Sequence, residues 1–384
     1  MFENIPEFVG NTDGIPSADR NTANRSRLPD LIKEQEQYVK DHPDDKGAAE
    51  DLAGLKTLRT LMYGDGKVEP HPDYQLLLLD NTDHPLKAAL SNGSVDDADI
   101  VSTWIGGTTS TVKGFTGDMT RMNNLSDEVA RQLRLNNDPR SQVGVLWLGY
   151  DAPDNIVDPG RQQEATSMAK QAWKGWLLPG DQDYLRDAVD ILLKDGGDTQ
   201  DAINTKFAKE GAPVLANFAE GLEATNPDAR QTASAHSYGG AVLGGAAQRT
   251  DAWSSITVSG TPGMQTSDRN DLQVDKVYVS EAQWRDQNWA GTVGSGGRPN
   301  YEKLLEILKD GGDFVPDIGQ LDDRFGSDPS DLDGVVLYDN GASKHDGRDL
   351  TAAHGHSSYW NRDSSSIYNE ANSIIDRYDK VATR

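Results

Sequence analysis

The stretch RQTASAHSYGGAVLGGAAQR, residues 230–249, restricts the fold more than any other part of this chain. Its first half, RQTASAHS, reads as a strand, and GGAVLGGAAQR reads as a helix of small residues. A strand that hands over to a helix within so few residues needs a tight turn. The helix must then pack back against the sheet.

The same alternation recurs along the chain. DYQLLLLD, LKAALSNG, ADIVSTWIGG, QVGVLWLGYD, SSITVSG, DKVYVSE and DGVVLYD are short apolar runs suited to strands, and DEVARQLRLNN is a helix between two of them. Strands alternating with helices predict an α/β fold: a mostly parallel central sheet with helices on both faces. Residues 1–70 read as a helical N-terminal extension packed on that core, with Leu52, Leu55, Leu58 and Leu61 at helical spacing. Residues 71–384 are then the α/β domain. More chain lies between Tyr150 and Arg230 than one crossover requires. Two amphipathic helices are expected at about 157–204, as a cap over a pocket or as extra packing on the domain, with Trp173, Trp176, Leu185 and Leu192 on their apolar faces.

Composition narrows the partners. A formal charge of −25 lacks the basic footprint that a nucleic-acid backbone requires. The absence of cysteine excludes disulfides, thiolate metal sites and a cysteine nucleophile. MFENIPEFVGNTDG is too polar for a signal peptide, and no window supplies the apolar length of a membrane span. The default compartment is the cytoplasm, and export without a cleavable signal stays open. No phosphate-cradling loop is present, DPSDLDG fails the spacing of a calcium loop, and no cofactor or metal is expected.

Ser237 occupies the turn. A nucleophile elbow needs small residues two positions before and two after its serine, because backbone approaches backbone there. Ala235 and Gly239 meet that need. The alternative is a glycine-rich helix start that binds an anion. A serine needs a base, and in this fold the acid and histidine follow the serine in chain order. That leaves His345, His354 and His356 as bases, and Glu281, Asp286 or Asp339 as the acid. His236 neighbours the serine but points away from it in an elbow. The amide of Tyr238 and one from Gly106–Gly107 could form an oxyanion hole.

Several segments also resemble a known family, the actinobacterial α/β-hydrolases catalogued as DUF1023. The resemblance rests on GIPSADRNTANRSRL, on QLLLLD followed by DDADIVSTWIGGTTST, and on VLWLGYDAP, SAHSYGG and GHSSYW. It implies an α/β-hydrolase fold with Ser237 as nucleophile, His356 as base and Asp286 as acid. Ala235 stands where the family has glycine, Trp104-Ile105 where it has Val-Pro, and Asp286 lacks the family's following proline. The expected function is a serine hydrolase that cleaves a small-molecule or lipid ester through an acyl-enzyme. Tyr238 and Gly107 would hold the oxyanion. A catalytically inactive binding protein and an exported lipid-cleaving effector are the alternatives.

Overall fold

The computed structural model describes residues 5–67, 69, 71–153, 205–281, 293–294, 298–299, 325–353 and 358–384. The cap expected at 157–204 lies outside them. The strands in chain order are β1 (Gln75–Asp80), β2 (Lys87–Ser91), β3 (Ile100–Ile105), β4 (Gln142–Leu148), β5 (Arg230–His236), β6 (Ser255–Ser259) and β7 (Lys276–Ser280). Next come the short pairs β8 (Val293–Gly294) with β9 (Arg298–Pro299) and β11 (Ser343–His345) with β12 (Arg348–Leu350), and between these pairs lies β10 (Val336–Leu337). The described helices are α1 (Pro6–Asn11), α2 (Ser17–Asp41), α3 (Lys46–Tyr63), α4 (Phe115–Leu135), α5 (Lys206–Thr225), α6 (Gly239–Ala247) and α7 (Ser365–Ile374).

Eight strands form one sheet in the order β1-β2-β4-β3-β5-β6-β7-β10. β2 runs antiparallel to both its neighbours, and every pairing from β4 to β10 is parallel. The predicted mostly parallel sheet is therefore present. From β3 the chain moves to β4 on one side and returns to β5 on the other. Right-handed crossovers then put α4 on one face and α5 and α6 on the opposite face. The packing of α5 on α6, and of α4 on α7, agrees with two helical layers.

β1 is an edge strand, and the N-terminal helices cover it. Asn11 exchanges two hydrogen bonds with the backbone of Leu79, each of 2.9 Å. Asn21 accepts from the Leu76 amide at 3.0 Å, and Asn24 donates to its carbonyl at 3.1 Å. These side chains satisfy an edge that would otherwise offer itself to another strand.

Two of these helices, α5 and α7, are not among the elements expected from the sequence, although each carries apolar residues at helical spacing. α5 carries Gly211 and Pro213 in its interior, both poor helix formers. Packing decides there: a Cβ on Gly211 would stand 2.7 Å from the Cβ of Tyr150, so only glycine allows the approach. α7, SSIYNEANSI, is buried along its whole length, with Ile367, Ala371 and Ile374 on one face and Ser366, Glu370 and Ser373 on another that meets the sheet.

The contact of α7 with the sheet is hydroxyl-rich. Ser280 Oγ lies 2.9 Å from Ser366 Oγ, and the Tyr338 hydroxyl donates to Ser373 at 2.7 Å. Glu370 is fully buried, accepting from the Ser234 hydroxyl and, at 3.0 Å, from Trp360 Nε1. Desolvation outweighs these two donors and pushes its carboxyl up to about 7.

A raised carboxyl pKa lowers stability as pH increases, because the folded protein keeps a proton that the unfolded chain has lost. The loss begins near the unfolded value of about 4.5 and is complete just above about 7, and it amounts to ~3 kcal/mol. Glu370→Gln removes this dependence. Chemical denaturation between pH 4.5 and 8 should show wild type losing stability relative to the variant by about that amount, and parallel curves would contradict the burial argument.

Candidate active site

The paired Cα atoms of Ile105 and Ala235 bring the ends of β3 and β5 level. The loops that follow therefore leave the sheet side by side, at the point where the strand order reverses. Open α/β sheets bind ligands in this crevice, outside the carboxyl ends of their strands.

Ser237 sits in the turn between β5 and α6, with φ 54°, in the left-handed region. A non-glycine residue held there stores roughly 1–3 kcal/mol. Neighbouring backbone holds the turn: the Ser237 amide donates to the Ser259 carbonyl at 3.0 Å, and the Gly240 amide donates to the Ser237 carbonyl at 2.9 Å. The serine is 4% exposed. Ala235 is wholly buried near the end of β5, paired with Ile105 of β3 and Val258 of β6, so a methyl group is accepted where the family has glycine.

Two glycines let the β3 loop meet this turn. A Cβ on Gly107 would stand 2.6 Å from both the His236 carbonyl oxygen and Ser237 Cβ, and 3.1 Å from the Tyr238 amide nitrogen. A Cβ on Gly239 would stand 2.6 Å from the Gly106 carbonyl oxygen. Neither gap admits a side chain. Gly107 and the Tyr238 amide are thus brought together beside Ser237, at the start of α6. The partial positive charge of a helix N-terminus favours developing negative charge there. The Tyr238 side chain is buried, its hydroxyl accepting from the Ala208 amide of α5 at 3.1 Å, and its ring lies edge-on to Phe325.

Asp286, His354 and His356 lie outside the described residues. The chain on both sides of 354–357 is anchored at the carboxyl edge of the sheet. On one side the Ala353 amide donates to the Asn340 carbonyl at 3.0 Å. On the other, the rings of Tyr359 and Trp360 stand 6.2 and 5.4 Å from that of His236, the residue before Ser237. His236 thus packs against this segment. His345 lies in β11 and stacks on Tyr368, with ring centroids 4.5 Å apart.

The other candidate acids have structural partners. The Glu281 carboxylate is 3.6 Å from Arg384, and its carbonyl accepts from Asn340 Nδ2 at 2.6 Å. Asp339 is exposed and accepts from the Gly341 amide at 2.9 Å. Asn340, which no sequence pattern marked, thus touches both the departure of the chain after β7 and the approach to 354. Among the described residues no group of His, Asp and Glu is placed to hold a metal. No described helix is long and apolar enough to cross a membrane.

A parallel sheet, a left-handed serine between its central strand and the following helix, and a glycine loop against that serine define an α/β-hydrolase fold. The chain matches the Alpha/beta hydrolase family Abhydrolase_8, formerly DUF1023, over residues 81–287 and belongs to it. The match includes Gly107, Ser237 and Asp286 and ends before His356. Uncharacterized proteins of Mycobacterium tuberculosis and Mycobacterium bovis are 27% identical over 237 residues, covering 59% of this chain and 70% of theirs. Among solved structures, a putative dienelactone hydrolase from Klebsiella pneumoniae aligns with 11% identity and a TM-score of 0.30, covering 79% of this chain and 98% of that one. An S-formylglutathione hydrolase from Agrobacterium tumefaciens aligns with 10% identity and a TM-score of 0.33, covering 79% and 93%. Likeness at that level says nothing about chemistry.

The packing makes two glycine substitutions diverge. Gly107→Ala should lower the urea midpoint by the equivalent of about 1–3 kcal/mol, since backbone must move to admit the methyl group. Gly117, in α4, has no atom within 4 Å of the position a Cβ would take. Gly117→Ala should stabilise by roughly 0.5 kcal/mol through the unfolded chain. Equal effects at both positions would contradict the close approach at Gly107.

Proposed function

We propose that the protein is a serine hydrolase acting on a carboxylic ester, with Ser237 as nucleophile, His356 as base and Asp286 as the acid that orients it. The observation that carries this reading is the left-handed backbone of Ser237 at the point of strand reversal. Strain of this kind persists only where the surroundings enforce it, and it collects at functional sites. An anion-binding helix start would use the same glycines but would not need a serine in that conformation.

In this reading the Ser237 hydroxyl attacks the ester carbonyl while His356 takes its proton and passes it to the leaving alcohol. The amides of Gly107 and Tyr238 receive the oxyanion. Water, deprotonated by the same histidine, then releases the acid and regenerates the serine. The packing of Tyr359 and Trp360 on His236, the residue before Ser237, supports a base from the four-residue stretch between 353 and 358. The partners of Glu281 and Asp339 favour Asp286 as the acid. An ester needs less leaving-group protonation than an amide. It is the substrate class that asks least of this arrangement.

A fluorophosphonate probe should label the wild type and leave Ser237→Ala unlabelled. Absence of serine-dependent labelling would turn the reading towards a binding protein that keeps the fold. With p-nitrophenyl esters of increasing chain length, Ser237→Ala and His356→Ala should each lose about 10⁴-fold in kcat. His354→Ala should stay within about threefold, and the opposite ranking of the two histidines would move the base to His354. Turnover confined to the shortest acyl chains would exclude a lipid substrate.

A further inference from the structure

The segment that follows β4, Gly149 to Pro153, touches the glycine loop at two points. The Tyr150 hydroxyl donates to the Gly106 carbonyl at 2.8 Å, and the Thr109 amide donates to the Pro153 carbonyl at 2.9 Å. Overlapping the second tie, the Ser110 amide closes a turn onto the Gly107 carbonyl at 3.1 Å. Thr109 is itself left-handed, with φ 65°. The loop is therefore clamped at both ends by a segment from a different strand.

One of these ties acts on the peptide that matters. In a trans peptide the carbonyl of one residue and the N–H of the next point in opposite directions. A hydroxyl that holds the Gly106 carbonyl therefore also fixes the direction of the Gly107 N–H. Glycines on both sides of this bond leave rotation of the peptide almost free, so sequence-local preference cannot set it. Tyr150 is 3% exposed and stacks between the rings of Trp147 and Tyr238, at 6.1 and 6.5 Å. Its hydroxyl has one direction available. Burial, followed by the nearby Tyr238, Asp151 and Asp118, raises its pKa well above that of an ordinary tyrosine, and the donor stays protonated at working pH.

We infer that Tyr150 is a positioning residue for the oxyanion hole: its hydroxyl holds the Gly106–Gly107 peptide so that the Gly107 amide faces the crevice beside Ser237. This rests on the ester-hydrolase reading above. Tyr150 touches no reacting atom. It acts by removing the freedom of a peptide bond between two glycines, so that the amide need not reorganise when charge develops.

Tyr150→Phe keeps the ring and its stacking and deletes only the hydroxyl. Rates should be measured on a p-nitrophenyl ester and on its thionoester, whose sulfur is a poor acceptor for oxyanion-hole donors. The expected result is a fall in kcat of about tenfold or more with KM changed less than about twofold. The ester-to-thionoester rate ratio should fall by a similar factor. That ratio is independent of how much of the variant is folded, so loss of protein cannot imitate it. Unchanged kcat, or a lower kcat with an unchanged ratio, overturns the role of Tyr150 while leaving the hydrolase reading intact. A wild type that shows no serine-dependent labelling by a fluorophosphonate removes both.

Discussion

Everything at the candidate site depends on how closely the loop after β3 approaches the turn after β5. The register that pairs Ile105 with Ala235 sets the heights of the two strand ends, and two glycines, 107 and 239, let the backbones meet. Hydrogen bonds to β6 and within the turn hold Ser237 in its left-handed conformation. Without that approach the serine would be one polar residue among many at a sheet edge. With it, the backbone of Gly107, the Tyr238 amide and Ser237 lie within a few ångströms of one another.

The sequence disclosed this core because its signals are local. A strand period, a break at Ser237 and a run of small residues survive in any context, and the register of β5 follows from its place in a parallel sheet. Ala235 was legible as a departure from the family, and its harmlessness follows from its burial inside ordinary strand pairing. α5 was not legible, because Gly211 and Pro213 lower its helix propensity while a tertiary contact with Tyr150 repays the loss. α7 was not legible because its polar residues face the sheet. A pattern that assigns polar groups to solvent would turn such a helix the wrong way round. Asn340 escaped for a different reason, and Tyr150 is marked only as part of VLWLGYDAP with no role attached: their significance lies in partners distant in sequence, at Glu281, Ala353 and Gly106.

Trp360 connects the two halves of the arrangement. Its ring meets Trp104 at the end of β3 edge-on at 5.3 Å and His236 at the end of β5 at 5.4 Å, and its Nε1 donates to Glu370 of α7. The Glu370 carboxyl also receives the Ser234 hydroxyl, three residues before Ser237. One aromatic ring and one buried carboxyl thus tie the loop strand, the serine strand and the C-terminal helix into a single unit. The carboxyl is a costly choice, since burial alone shifts it towards neutrality and an apolar side chain of similar volume would avoid the penalty. An apolar replacement would, however, leave the Trp360 N–H and the Ser234 hydroxyl buried without acceptors.

That cost can be read together with the strain at Ser237. A residue held outside its preferred backbone region relaxes unless several rigid contacts oppose it, and apolar packing restrains position better than it restrains direction. Hydrogen bonds restrain direction. The underside of the serine strand is fixed by Ser234 and Glu370, the turn by the Ser259 carbonyl, and the facing loop by Tyr150 and Pro153. Each of these fixes an orientation that neighbouring glycines or small residues leave open. The small residues that permit the backbones to meet are the same ones that would let the turn collapse, which is why a polar scaffold surrounds a stretch as apolar as GGAVLGGAA.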